Sequence, residues 1–191
     1  ALRTKISSDL HDDVGTILSG LAMQSQMLTY SANEEQKESL LEISGMSRDA
    51  MERMRDTVWA MDNRKDKLEN LIDRMRDFAE KNFSLKKLTH QFDIDITDSK
   101  KFIDPEKRQQ VYLIFKEAVT NIIKHSNGPH VKINFSENKN NLKLIIHDNG
   151  TANPSSSSDG LGISNMKMRA EKIGGILTTK YENGFVVELD V

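Results

Sequence analysis

Four short stretches of the chain hold side chains able to do chemistry. The first, "DLHDDVG", sets His11 beside Asp9, Asp12 and Asp13. An imidazole with an ordinary pKa of about 6.5 is largely neutral near pH 7, so a ring nitrogen keeps the lone pair a nucleophile needs. Asp12 next to it would orient the ring and stabilise the positive charge that develops during attack. Consecutive helical side chains diverge, so the same residues also fit a surface histidine in a solvated acidic face. The second stretch, "FKEAVTNIIKHS", places Glu117, Asn121, Lys124 and His125 at steps of four, three and one. A carboxylate, an amide oxygen and a cation along one helix face suit Mg²⁺ and phosphate, because hard cations take oxygen ligands. A plain polar face is the alternative.

The third stretch, "IIHDNG", ends an apolar strand with Asp148, an acceptor for a ligand amino group. Gly150 follows, where a ligand could approach the backbone closely. Asp-Asn-Gly is equally a hairpin turn. The fourth, "SSSSDGLGISNMKMRA", runs from serines through Gly160 and Gly162 into a helix, whose free N–H groups favour phosphate. By itself it reads as a flexible linker. Neither a GxGxxG fingerprint after a strand nor a GxxxxGK[ST] loop is present.

These stretches need elements to hold them. Ile6, Leu10, Val14, Ile17, Leu21 and Leu28 draw one stripe on a helix predicted to run to about Tyr30. A second helix, capped by Ser31 or Asn33, carries Leu40, Ser47, Met51, Met54, Val58 and Met61 in a coiled-coil-like seam. Such a hairpin has too little interior to hide both stripes, so pairing with a second copy as a four-helix bundle is expected. The methionines and Trp59 are read as packing residues. After "DNRKDK" the pattern becomes a helix over "LENLIDRMRDFAEKNF", a strand over "LTHQFDIDI" and a long helix opened by Pro105. Two neighbouring strands, a glycine-closed helix and a terminal hairpin turning at Asn183-Gly184 complete it.

Composition narrows the class. Lys plus Arg number 27 against 29 Asp plus Glu, a net charge of -2 that gives no general attraction for nucleic acid. Without cysteine there are no disulfides or thiolate metal sites. No run of about 18 apolar residues occurs and no signal peptide is visible. The helical pattern starting almost at Ala1 reads as a fragment with an upstream input domain.

All four stretches occur together, in one order. "DLHDDVG", "KEAVTNIIKH", "HDNG" and "DGLGISNMKMR" resemble the phosphoacceptor box, the N box and the two glycine boxes of bacterial two-component sensor histidine kinases, nearest the subfamily of the nitrate sensors. The resemblance implies an α plus α/β-sandwich architecture. Residues 1–64 would be the dimerisation and histidine-phosphotransfer domain, a helical hairpin forming a dimeric four-helix bundle. Residues 67–191 would be a Bergerat, or GHKL, two-layer α/β ATP-binding domain. It implies His11 as phosphoacceptor and Asp12 as the base on its other ring nitrogen. Asn121 would hold Mg²⁺ with support from Glu117, and Lys124 and His125 would lie near the phosphates. Asp148 would accept from the adenine amino group, and Gly150, Gly160 and Gly162 would admit ATP and its lid.

Movement is expected near Asn63 to Lys67 and in the Ser155 to Ser158 lid. The implied partners are a second copy, the receiver domain of a response regulator and an upstream sensor domain, with no direct nucleic-acid contact. The core would be cytoplasmic, in a parent that can be anchored in the inner membrane. Thr16 stands where the subfamily's phosphatase pattern has Gln or His, which implies weak or absent phosphatase activity. Ala152 replaces the second glycine of "DNGxG". A silent dimeric docking scaffold and a GHKL-type ATPase are the alternative readings.

Overall fold

The computed structural model describes residues 13–138, 141–151 and 161–191. They fall into two compact units, one ending at Lys65 and the other Asp66–Val191. His11, Asp12, Ala152, Gly160 and the Ser155 to Ser158 segment lie outside the described residues.

In the first unit, helix α1 (Gly15–Leu28) packs along α2 (Glu34–Met61). Of the two expected caps, Asn33 serves α2: its side chain accepts from Gln36 N at 2.9 Å, and the Gln36 side chain accepts from Asn33 N at 3.2 Å. This reciprocal box satisfies two of the helix's free donors, and Glu34 and Glu35 complement the dipole.

The seam between the helices is made of small residues. Ala22 and Ser25 of α1 are buried with Ser44 and Ser47 of α2, and the Ser44 hydroxyl donates to the Ala22 carbonyl at 3.1 Å. On α2 the expected seam residues Leu40, Met51, Met54, Val58 and Met61 are all half-buried. On α1 the contact line runs one residue beyond the predicted stripe, through Gly15, Leu18, Ala22 and Ser25. Ile17 is left 69% exposed and Leu28 55% exposed. Leu41, Ile43 and Met46 of α2 are also exposed. The hairpin therefore uses small side chains for its own closure and leaves an apolar surface uncovered within one chain.

A 3-10 turn, Asn63–Lys65, follows. Arg64 grips Asp62 through Nε and a terminal nitrogen, each at 2.9 Å, and this hydrogen-bonded pair holds the Asp62 carboxyl below its ordinary pKa.

The second unit opens by tying its first residues down. Asp66 pairs with the fully buried Arg108 at 2.9 Å, its carbonyl accepts from Ile103 N, and Leu68 N donates to the Lys101 carbonyl. Asp66 and Lys67, expected within a moving linker, thus belong to this unit's framework. Helix α3 (Leu68–Lys86) buries Leu68, Leu71, Ile72, Met75, Ala79 and Phe83 on one face and ends at Lys87 in the left-handed region. Strand β1 (Thr89–Asp95) leads to α4 (Pro105–His125), which buries Val111, Ile114, Phe115, Ala118, Val119 and Ile122. Pro105 suits the first turn of α4, while Asp104 caps it by accepting from Glu106 N and Lys107 N.

Then come β2 (His130–Asn138), β3 (Asn141–Asp148), α5 (Leu161–Lys172), β4 (Ile176–Tyr181) and β5 (Phe185–Asp190). The sheet order is β1-β2-β3-β5-β4, with β1 and β2 parallel and the other pairs antiparallel. The parallel pair requires a crossover, and α4 provides it. Val131, Ile133, Phe135, Leu144, Ile146 and Leu189 are buried in the core, each contributing about 1.5–3 kcal/mol relative to exposure. The alternate residues carry cross-strand charge pairs such as Lys143 with Glu188 and Lys132 with Asp93.

Candidate nucleotide site

Helix α4 keeps its apolar face in the core, so Glu117 and Asn121, four residues apart, emerge half-buried on the other side. The first turn of α5 comes against them. A Cβ on Gly162 would stand 2.4 Å from Glu117 Oε1 and 3.4 Å from Asn121 Nδ2. With no side chain at 162, α5 starts there without displacing the Glu117 carboxylate. Lys124 and His125 occupy the exposed last turn of α4, where cations suit the negative end of the dipole.

Asp148 ends β3 and is 3% exposed. Its Oδ1 accepts from the Ser126 hydroxyl and from Gly150 N, both at 2.7 Å, and its Oδ2 accepts from Phe185 N at 3.3 Å. The loop after α4 interlocks with the turn after β3. The Asn127 amide donates to Thr151 Oγ1 at 2.7 Å and its oxygen accepts from Thr151 N at 2.8 Å. A Cβ on Gly128 would fall 2.3 Å from Gly150 N, so backbone lies directly on backbone. From the far side, Gly184, at φ 132°, packs where a Cβ would sit 1.6 Å from the Asp148 carbonyl oxygen.

The structure thus gathers Glu117, Asn121 and Gly162 in one cluster and Asp148 with Gly150 in another, joined by the last turn of α4 and the Ser126–Gly128 loop. Thr16 lies exposed in the first turn of α1, in the other unit. Sequence reading missed Ser126, Asn127, Gly128 and Thr151. Gly184 was visible as a turn glycine, but its opposing neighbour, the Asp148 carbonyl, was not.

Glu117 and Asn121 offer a carboxylate and an amide oxygen, and the space a side chain at residue 162 would fill lies beside them. That donor set fits Mg²⁺, which takes one or two protein oxygens and completes its shell with phosphate and water. Among the described residues no group of three or more His, Cys, Asp or Glu could hold a metal unaided.

Two families match the chain in tandem: Histidine kinase over residues 3–68, and Histidine kinase-, DNA gyrase B-, and HSP90-like ATPase over residues 106–191. Sensor histidine kinase YvfT of Bacillus subtilis is 31% identical over 99% of this chain and 50% of its own length. Nitrate/nitrite sensor protein NarQ of Escherichia coli is 26% identical over 95% of this chain and 33% of its own. The chain spans about half or less of the curated relatives it matches. In fold it is similar to the histidine kinase domain from Erythrobacter litoralis EL346 blue-light activated histidine kinase, at TM-score 0.60 and 14% identity, covering 92% of this chain and 94% of that one. Full-length ShkA, solved in complex with AMPPNP, gives TM-score 0.61 at 13% identity over 98% of this chain and 45% of that one.

The chain carries the two domains of the histidine kinase family, a helical unit followed by a GHKL-type ATPase domain.

Proposed function

We propose that residues 1–64 dimerise and present His11, and that residues 67–191 bind ATP and phosphorylate it. A neutral ring nitrogen of His11 attacks the γ-phosphorus, the bond to the β-phosphate oxygen breaks, and ADP leaves. The proton on the other ring nitrogen is held or taken by Asp12. Glu117 and Asn121 would hold Mg²⁺, which when bound neutralises charge on the triphosphate. Lys124 and His125 attract the phosphates, Asp148 accepts from the adenine amino group, and Gly150, Gly160 and Gly162 leave room for nucleotide and lid. The phosphoryl group then passes from His11 to an aspartate oxygen of a response regulator.

What supports this reading above all is the approach of Gly162 to Glu117 and Asn121, joining two sequence boxes forty residues apart at one end of α4. The uncovered Ile17, Leu21 and Leu28 of α1 favour a second copy as partner. Among the described residues no helix is long and apolar enough to cross a membrane. We assign the core to the cytoplasm, downstream of a sensor domain in the parent protein. Thr16 carries a short hydroxyl where a longer group would orient water, so phosphatase activity is weak.

The test is incorporation of label from γ-labelled ATP with Mg²⁺ into the chain and into His11→Gln. Acid-labile label lost in the variant is expected. Label that survives the substitution would place the acceptor on another residue, and nucleotide turnover with no label would leave a GHKL ATPase instead.

A further inference from the structure

Asp148 is more constrained than its place at a strand end requires. A carboxylate offers about four acceptor positions, two on each oxygen. Among the described residues three are filled: two on Oδ1, by the Ser126 hydroxyl and Gly150 N, and one on Oδ2, by Phe185 N. The direction of the Ser126 bond is fixed by its other contact. Gly128 N donates to Ser126 Oγ at 3.1 Å, and a backbone N–H can only donate, so the hydroxyl hydrogen is free to go to Oδ1. Ser126 itself is held by the helix, since its N donates to the Ile122 carbonyl at 2.8 Å as the C-cap of α4. Gly150 admits the arrangement, because a Cβ there would meet Ser126 Oγ at 2.6 Å.

We propose that Ser126 is a positioning residue for base recognition: with Gly150 N it saturates Oδ1, so the one acceptor position left on the carboxylate belongs to Oδ2 and accepts the 6-amino group of adenine. This rests on the assignment of Asp148 to the adenine amino group. A carboxylate free to rotate would present either oxygen at either angle, and the amino contact would lose its directional advantage. Ser126 therefore links the N-box helix to the base, so the same α4 that carries Glu117 and Asn121 also sets the acceptor for the purine.

The experiment measures Kd by calorimetry on the whole 191-residue chain for two nucleotides, ATP and purine riboside triphosphate, which lacks the 6-amino group. Wild type is expected to prefer ATP. Ser126→Ala should weaken ATP about tenfold, as loss of a hydrogen bond to a charged group does, while changing the purine analogue less than about twofold. The preference thereby collapses. Ser126→Thr should keep it, and Ser126→Val, the isostere of threonine without the hydroxyl, should lose it even if the alanine variant folds poorly. Equal weakening of both nucleotides, or an unchanged preference in the alanine and valine variants, would overturn the proposal. No preference in wild type would instead remove the assignment of Asp148 to the amino group, and this inference with it.

Discussion

Replacing Gly162 by alanine sets stability and catalysis against each other. The new methyl would be placed 2.4 Å from Glu117 Oε1, so the carboxylate oxygen has to move by about 1 Å to regain ordinary contact. Glu117 is half-buried and the atom displaced is the end of a flexible side chain, so the move itself costs little. Gly162 lies in the first turn of α5, where alanine gains at most about 0.5–1 kcal/mol over glycine by losing less backbone freedom. The melting temperature should therefore hold or rise slightly. The carboxylate proposed to face the metal, however, is pushed away from its place beside Asn121, and a misplacement of about 1 Å commonly costs about a hundredfold in rate. The assay is the initial rate of autophosphorylation across a Mg²⁺ titration, beside a thermal melt of the same preparation. A hundredfold slower rate and a raised Mg²⁺ requirement, at an unchanged or higher melting temperature, are expected. Wild-type rate and Mg²⁺ dependence in a folded variant would refute the placement of Glu117 at the metal.

Other positions give equally definite outcomes. Gly184→Ala forces a Cβ to within 1.6 Å of the Asp148 carbonyl oxygen at a φ that L residues rarely adopt. Hydrogen exchange of the β3 and β5 amides should report a local loss of about 2–4 kcal/mol, and protection equal to wild type would contradict it. Ile17→Glu with Leu21→Glu places charge on the uncovered stripe of α1, and light scattering should show a dimer weakened at least about a hundredfold. An undisturbed dimer would move the interface elsewhere. Arg64→Ala removes the side-chain pair with Asp62 but keeps the backbone bond from residue 64, so the carboxyl should move part of the way up towards 3.8 in an NMR titration. Because the folded value is lowered, the stabilisation from this pair is complete above the ordinary value of 3.8 and vanishes as pH falls through the folded one. The variant's deficit should therefore be present at pH 7 and absent in strong acid.

The order of elements was legible because it is written in local signals. Pro105 marks the start of α4, Asn33 begins a capping box, and Asn183-Gly184 turns the last hairpin. Helical spacing also located Glu117 and Asn121 on one side of α4. What escaped was contact between segments far apart in the chain. The hairpin seam passes through Ala22, Ser25, Ser44 and Ser47, which give little hydropathy signal. The stripe of larger residues marks a surface that needs cover and does not say what covers it. Helix α3 runs beyond Phe83 to Lys86 and stops at Lys87 in the left-handed region, where a lysine gives no warning. Ser126 reaches Asp148 over 22 residues and Phe185 reaches it over 37, distances at which periodicity is silent.

The position of β5 has a consequence for how the sheet is completed. It is the last strand in sequence yet lies inside the sheet, between β3 and β4, and the segment that opens it also braces Asp148. During synthesis, β1, β2 and β3 leave the ribosome with the long edge of β3 unpaired, and the Asp148 carboxylate still lacks its Phe185 donor. The Phe185 donor arrives with the same residues that close that aggregation-prone edge. A chain that stops before residue 184 would leave the β3 edge open and Asp148 without its Phe185 donor.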